Sequence, residues 1–394
     1  MNVLLSVLQK MLIGIFLLVM LALAGIALFK KLFPEEAHGT LSWQQVRHEN
    51  TIEAYIEYLK ECPSCRHAPE ATVHLDELQK KAGLIARLDR AGLSARDDFS
   101  ALAFSPDGKN IVAAGVSHLH FWEAEKGETL SRAEQAFRLI PGRRTVSVRY
   151  SLGGKQIAAG TSTRTGAGSL MVWDAASGET LAEHPVRDHD IRAVAFAPRS
   201  IGIGWLADGP VGIWEPRADR ILRAIHEGAT AFSFVRDDTD RLLMITAGGR
   251  EVWLWNPDTL EPLKKMDIKT EKSLFGLSHD GKVILYHDVQ GIEARDPLTG
   301  DLLIPPVRLN GDLTAFCSDT RKGRLVLGTR DGMIHLWDLR NDTALTEMFA
   351  HRNAVEELAC SSRSRTVSRA IDGLKLWDVD RMAKSHADRP AHQD

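Results

Sequence analysis

The stretch Met171–Gly178, which reads MVWDAASG, ends an apolar run in a Trp-Asp pair that is followed by a short bend containing glycine. The pattern recurs along the chain, with its tryptophans at Trp122, Trp173, Trp214, Trp255, Trp337 and Trp377. Their separations are 51, 41, 41, 82 and 40 residues, and Arg295 in GIEARDPLTG (291–300) divides the gap of 82 into 40 and 42. The sequence therefore predicts seven units of about 41 residues, a period that indicates a repeat architecture.

Each unit repeats the same order of short strands and turns. In the first unit, Ala101–Phe104 alternates as a strand, Ser105-Pro-Asp-Gly108 has turn chemistry, Asn110–Ala114 predicts a second strand, and a third strand ends at Trp122. Several short strands per unit of this length predict an all-β propeller, here with seven blades over 82–380.

The residues of these units resemble those of the WD-repeat family. The Trp-Asp pair that names the family is present at Trp173-Asp174, Trp337-Asp338 and Trp377-Asp378, and a related pair stands at Trp122-Glu123, Trp214-Glu215, Trp255-Asn256 and Arg295-Asp296. The resemblance covers about three quarters of the chain. It implies that a strand from the start of the domain closes the ring by joining the last blade, and Leu84–Asp89 has the position to do so.

The resemblance also implies a hydrogen-bond network of framework residues. His351, Ser368, Asp372 and Trp377 match all four places of the family's network in the last unit. Smaller sets match in two other units: His189, Asp208 and Trp214, and Asp331 with Trp337. A Ser, a His and an Asp together also suggest nucleophilic catalysis, but the set recurs in fragments from unit to unit, as framework does. We therefore expect no catalytic residue, and no cofactor or metal site.

Composition excludes several classes of protein. The chain has 394 residues, a formal net charge of −3, 44% hydrophobic residues and 26% charged residues. This balance argues against a dedicated nucleic-acid binder and against wholesale disorder. Four cysteines are too few for a disulfide-dense scaffold.

A membrane anchor is expected in residues 1–33. Residues 11–29 contain no charged side chain, and 19 helical residues span about 28 Å, close to the hydrocarbon thickness of a bilayer. The run is longer than the apolar core of a signal peptide and continues past the cleavage motif at 22–24, which favours a single uncleaved span. Two lysines, Lys30 and Lys31, follow the apolar run, whereas Lys10 precedes it, and this excess of positive charge mildly favours a cytoplasmic propeller. Proteins with one N-terminal span and a large following domain often place that domain outside the cytoplasm, so the orientation stays open.

A short helical neck is expected over 34–81. Ser42 and Gln45 form a plausible capping box, apolar residues recur at steps of three or four, and Pro63 separates a second helix from the first. The segment resembles a helical-hairpin motif common in bacterial multidomain proteins. Cys62 and Cys65 suggest half of a zinc site or a redox pair, but under the resemblance they replace the Tyr and Gly of a turn. Residues 381–394 are expected to be a polar tail.

The interval of 51 residues before Trp173 marks two enlarged loops. In a propeller both loops emerge on one face, around the mouth of the central channel. Arginines in these and the equivalent loops predict a basic rim that binds an acidic partner: Arg143, Arg144, Arg164, Arg250 and Arg330. The alternative is ordinary solvated surface charge.

Together these features predict a membrane-anchored WD-repeat scaffold that binds protein partners and no nucleic acid. The rival hypothesis is a ligand-binding or quinone-dependent propeller, or a cell-envelope assembly factor. It rests on bends at 174–178 and 296–300 that also resemble those of quinoprotein-type propellers.

Overall fold

The computed structural model describes residues 42–88, 99–130, 136–163, 167–186, 189–197, 202–207, 210–218, 220–226, 228–309, 311–319 and 321–387. The chain divides into two compact units, Met1–Gln79 and Lys80–Asp394. The expected anchor, 1–33 with its helix at about 11–29, lies outside the described residues. Within them, no helix is both long enough and apolar enough to cross a bilayer.

Three helices follow the start of the described chain: α1 (Trp43–Glu49), α2 (Ile52–Glu61) and α3 (Ala68–Ala82). The predicted capping box is confirmed, because Ser42 and Gln45 each accept a backbone N–H bond from the other. Asn50 adopts the left-handed conformation that ends α1. The Trp43 ring stacks on His67, with centroids 5.0 Å apart, so aromatic contacts join the first helix to the start of the third.

In the described part of the propeller unit, the strands form seven sheets, one for each predicted unit. Blade 1 contains β2 (Ala101–Phe104), β3 (Asn110–Ala114) and β4 (Leu119–Glu123). Blade 2 contains β5 (Arg144–Tyr150), β6 (Gln156–Ser162), β7 (Gly168–Asp174) and β8 (Thr180–Val186). Blade 3 contains β9 (Ile191–Phe196), β10 (Ile203–Ala207), β11 (Pro210–Glu215) and β12 (Arg220–Ile225). Blade 4 contains β13 (Ala231–Arg236), β14 (Leu242–Gly248), β15 (Glu251–Trp255) and β16 (Pro262–Asp267).

The remaining blades continue the same antiparallel order. Blade 5 contains β17 (Ser273–Leu277), β18 (Ile284–Asp288), β19 (Gly291–Arg295) and β20 (Leu302–Val307). Blade 6 contains β21 (Leu313–Asp319), β22 (Arg324–Thr329), β23 (Met333–Asp338) and β24 (Thr343–Phe349). Blade 7 contains β25 (Glu357–Cys360), β26 (Arg365–Ala370), β27 (Gly373–Asp378) and β1 (Leu84–Arg87).

The first strand of each unit faces the centre of the ring. These strands contact one another from blade to blade. Strand β2 contacts β5, strand β9 contacts β13, and strand β25 contacts both β21 and β2. Apolar side chains, among them Trp122 and Trp173, fill the space between successive blades, and Trp377 is also fully buried. The chain is therefore a seven-bladed β-propeller.

The predicted closure is confirmed. Strand β1 pairs antiparallel with β27, and Leu84 lies opposite Trp377. Gly83, which precedes β1, has a φ of +121°, and a Cβ there would come within 2.7 Å of the Met382 side chain. Only glycine fits at this position, because it tolerates the positive φ and has no Cβ to clash with Met382. The pairing gives the last blade its fourth strand and covers an edge that would otherwise be open.

The predicted register of Arg295 is also confirmed. Arg295 lies opposite Ile284 in blade 5, the place that Trp255 takes opposite Met244 in blade 4. After β27 the chain continues into α4 (Val379–Ala387), so the segment expected only to be a polar tail begins as a helix. Asp380 of this helix pairs with Lys322, and Met382 is buried.

Candidate functional site: the loops at one face of the ring

Four predicted framework residues form one hydrogen-bond network in blade 7. His351 Nδ1 lies 2.6 Å from Asp372 Oδ1, and His351 Nε2 lies 2.6 Å from the Ser368 hydroxyl. Trp377 Nε1 donates to the same hydroxyl at 2.8 Å. His351, Ser368 and Trp377 have no solvent-exposed surface, so the hydroxyl has no access to a substrate. The network therefore joins the turn before β25 to β26 and β27 as framework.

The charge state of this network follows from its burial. Burial lowers the pKa of His351 and outweighs the opposing effect of Asp372. Burial alone would raise the pKa of Asp372, but the His351 hydrogen bond and the Lys375 charge hold that pKa well below its usual range. A neutral imidazole that donates from Nδ1 and accepts at Nε2 satisfies every contact in the chain from Asp372 to Trp377.

A second network of this kind stands in blade 4, where we did not predict one. His226 Nδ1 lies 2.7 Å from Thr246 Oγ1, and Trp255 Nε1 donates to the same oxygen at 2.8 Å. The signal was present in the sequence, because Thr246 precedes Trp255 by nine residues, as Ser368 precedes Trp377.

The two partial sets do not form such a network among the described residues. Trp214 Nε1 and Trp337 Nε1 are buried and have no acceptor in the described chain. Asp331 instead accepts a hydrogen bond from the Thr329 hydroxyl. His189 is half-buried, and Asp208 lies outside the described residues.

Arg295 replaces the tryptophan of blade 5 with a polar network. Its guanidinium pairs with Glu293 and donates to the carbonyl oxygens of Gly300, at 2.7 Å, and of Lys269, at 3.1 Å. Both charged side chains are largely buried. A groove of about 770 Å³ opens beside Arg295 between blades 4 and 5, and Arg250 lies on its wall.

Charged side chains also converge in the central channel. Glu357 of blade 7 accepts hydrogen bonds from the backbone N–H of Leu102 and from Arg369, at 3.2 and 3.1 Å. Arg149 of blade 2 reaches across the ring and donates to His279 Nδ1 at 3.1 Å. Loss of hydration beside the channel wall, and after it the charge of Arg149, lower the pKa of His279, although the residue keeps exposed surface. A neutral His279 is the form that accepts this bond.

The turns between the second and third strands of the blades form one face of the ring, which we term the tip face. Described residues at these tips include Val116, Arg250, Val289, Arg330 and Ile371. Val116, Val289 and Ile371 are 55%, 103% and 75% exposed. Isolated exposed aliphatic residues are ordinary on a protein surface, but three at equivalent loop tips give one face an apolar character.

The predicted basic rim lies on this face but is partly neutralised. Arg250 pairs with Glu271 at 3.2 Å, and Arg330 pairs with Asp312 at 3.1 Å. Both acidic partners belong to loops that lead from one blade to the next, so these loops and the tips share a face. All four side chains are exposed, and such pairs are weak in water.

The other three predicted arginines belong to the loop before β5 and to the turn between β6 and β7. Arg144 begins β5 and is exposed, whereas Arg143 is half-buried. Arg164 lies outside the described residues.

The bends that suggested a quinoprotein are explained by local hydrogen bonds. Asp174 Oδ1 accepts from the backbone N–H groups of Ala176 and Ser177 at 3.0 and 2.8 Å. Asp296 Oδ1 accepts from that of Leu298 at 2.7 Å. An aspartate at the first position of such a bend is favoured for this bonding alone.

Comparison with known proteins supports the fold and no more specific identity. No family model matches the chain, and no curated protein matches it. The computationally designed protein Ika8 is 17% identical, with a TM-score of 0.53 over 75% of this chain and 99% of its own. A chain in the crystal structure of the mitotic checkpoint complex is 16% identical, with a TM-score of 0.59 over 76% of this chain and 92% of its own. At these identities the likeness shows a shared β-propeller fold.

Proposed function

We propose that this chain is a WD-repeat-type scaffold, anchored in a membrane by residues 11–29, that binds a protein partner on its tip face and catalyses no reaction. The observation that carries the proposal is the exposure of Val116, Val289 and Ile371 on that face. Burying an aliphatic side chain of this size contributes about 1.5–3 kcal/mol, so a partner that covers all three gains affinity from the face.

The arginines of the rim supply the charged part of the same surface. Because the carboxylates that pair with Arg250 and Arg330 are exposed, an acidic partner can replace those contacts at little cost. Arg143, Arg144 and Arg164 extend the proposed contact surface along blade 2. A binding surface with apolar centres and a charged surround is typical of protein interfaces.

Capture of partners from detergent extracts tests the tip face. The full-length chain carrying Val116→Asp, Val289→Asp and Ile371→Asp should lose partners that the wild-type chain retains, as measured by quantitative mass spectrometry. Leu152→Asp is the matched control, because Leu152 is 64% exposed on a turn between first and second strands, at the opposite face. Equal partner recovery from the triple variant and the wild type would refute the assignment.

Charge reversal tests the rim separately. Glutamate at Arg143, Arg144 and Arg164 should weaken capture of the same partner, and the weakening should diminish in high salt, which already screens the contact. If no partner is lost, these arginines are ordinary surface charge.

Membrane fractionation tests the anchor. The full-length chain should stay in the membrane after an alkaline carbonate wash, whereas a chain that lacks residues 1–33 should be recovered in the supernatant. Release of the full-length chain by carbonate would show that 11–29 does not span the bilayer.

Absorbance spectroscopy distinguishes the scaffold from the quinone-dependent alternative. The purified full-length chain should show no absorption band beyond that of its aromatic residues. A bound quinone chromophore would overturn the non-enzymatic assignment.

A further inference from the structure

The four cysteines of the chain form two pairs. Cys317 on β21 and Cys360 on β25 are joined across blades 6 and 7, with their Cα atoms 5.6 Å apart. Cys62 and Cys65 are joined in the connection between α2 and α3, with Cα atoms 5.3 Å apart. Both Cα separations lie within the range that a disulfide requires.

The pair in the propeller joins two sheets that share no backbone ladder. Strands β21 and β25 belong to different sheets and lie next to each other. Blade 7 is also the blade that depends on β1 for its fourth strand. The Cys317–Cys360 bond therefore adds a covalent link on one side of blade 7, while β1 closes the blade at its outer edge.

The positions of the two cysteines follow from the repeat geometry. Cys317 and Cys360 stand 43 residues apart, close to one repeat, so they occupy comparable places on adjacent innermost strands. In a propeller such strands face each other around the channel, which brings side chains of successive repeats to bonding distance. Cys317 is 8% exposed and Cys360 is half-buried, so only part of the bond faces solvent.

We propose that the mature propeller is oxidised at Cys317–Cys360, and that the propeller therefore lies on the oxidising side of its membrane, outside the cytoplasm. Protein disulfides persist in secreted, periplasmic and other oxidising compartments and are rare in the cytosol. The bond forms when the two thiols lose two protons and two electrons to a disulfide-bearing thiol oxidase, whose own disulfide is reduced to two thiols. The oxidation does not depend on the proposed function, but the assignment of a membrane side rests on the proposed anchor.

Peptide mapping of the full-length chain tests the bond directly. Membranes are denatured in the presence of an alkylating reagent and digested with trypsin without reduction. We expect one cross-linked species that joins Leu309–Arg321 to Asn353–Arg363, and its disappearance after reduction. Recovery of both peptides as separately alkylated thiols would overturn the proposal, whether or not the chain is anchored.

A matched set of variants separates the two pairs and the compartment. Cys62→Ser with Cys65→Ser should leave the cross-linked species intact, whereas Cys317→Ala with Cys360→Ala should abolish it. In a bacterial host that lacks its periplasmic thiol oxidase, the wild-type chain should show alkylated Cys317 and Cys360. An unchanged cross-link in that host, or protection of the propeller from protease added to spheroplasts, would refute the assignment to the outside.

Thermal unfolding measures what the bond contributes. Reduction of the wild-type chain should lower the midpoint temperature of unfolding by about 5–10 °C. The Cys317–Cys360 bond closes a loop of 43 residues and so removes conformational freedom from the unfolded chain. The Cys317→Ala, Cys360→Ala variant should not respond to the reductant. An equal response in this variant would show that the link across blades 6 and 7 is not the bond that stabilises the ring.

Discussion

Removal of one hydroxyl group from blade 7 should destabilise the whole ring. Ser368 accepts from Trp377 Nε1 at 2.8 Å and contacts His351 Nε2 at 2.6 Å, and all three side chains are fully buried. Ser368→Ala leaves both nitrogen groups without a partner, at about 1–3 kcal/mol each. We expect the free energy of unfolding to fall by about 2–5 kcal/mol, a large share of the roughly 5–15 kcal/mol typical of a folded protein.

The matched control removes a hydroxyl that has no partner. Tyr286 is fully buried in blade 5, and its hydroxyl has no hydrogen-bond partner among the described residues. Tyr286→Phe should therefore be neutral or slightly stabilising, because it removes a buried polar group at no loss of bonding. The two variants make the same chemical change in opposite bonding environments.

Equilibrium urea unfolding of the full-length chain in mild detergent, followed by tryptophan fluorescence, measures both effects. A double-mutant cycle adds a check, because Trp377→Phe should cost about 1 kcal/mol less in the Ser368→Ala background, where the indole N–H has already lost its acceptor. If Ser368→Ala and Tyr286→Phe agree within about 0.5 kcal/mol, the network does not stabilise the ring in the way the geometry indicates.

Three further changes test other parts of the fold. Glu357→Gln should lower the free energy of unfolding by about 1–3 kcal/mol in the same urea assay, because Arg149 and Arg369 lose the negative charge near both of them. An unchanged free energy would show that water in the channel compensates for the lost carboxylate. Burial raises the pKa of Tyr286 to about 12. Since the unfolded phenol ionises near pH 10, stability should fall between pH 10 and 12 by up to about 2.7 kcal/mol. Tyr286→Phe should flatten that part of the profile, and an unchanged slope would contradict the assignment. Gly332→Ala should cost at least about 2 kcal/mol, because φ is +93° and the new Cβ would lie 2.2 Å from a carbonyl oxygen of the neighbouring turn; a stable variant would show that this turn can move.

Much of the framework was predictable because repeats place equivalent residues at equivalent positions. The position of Arg295 followed from counting along the chain, and the role of Leu84–Asp89 as the closing strand followed from the resemblance to WD-repeat proteins. The network of His226, Thr246 and Trp255 was missed, although its spacing resembled that of blade 7.

The candidate site was less predictable because side-chain partners belong to different segments. Sequence reasoning placed Arg250 and Arg330 on one face but gave no sign that Glu271 and Asp312 stand beside them. These carboxylates stand 21 and 18 residues from their arginines, and the pairing of neighbouring strands within blades 4 and 6 brings them within 4 Å. The basic rim is therefore a surface of mixed charge wherever the structure describes it.

By itself the sequence determined the number of blades and their register. These properties depend on period and on local alternation, which a single chain records directly. Only the tertiary structure decided that Cys317 meets Cys360, that Arg149 reaches His279 across the channel, and that three aliphatic tips share a face. The physical reason is distance along the chain: such contacts join residues 43 or 130 positions apart. Cys317 meets Cys360 only when blades 6 and 7 have packed together, and Arg149 meets His279 only when the blades have arranged around the channel.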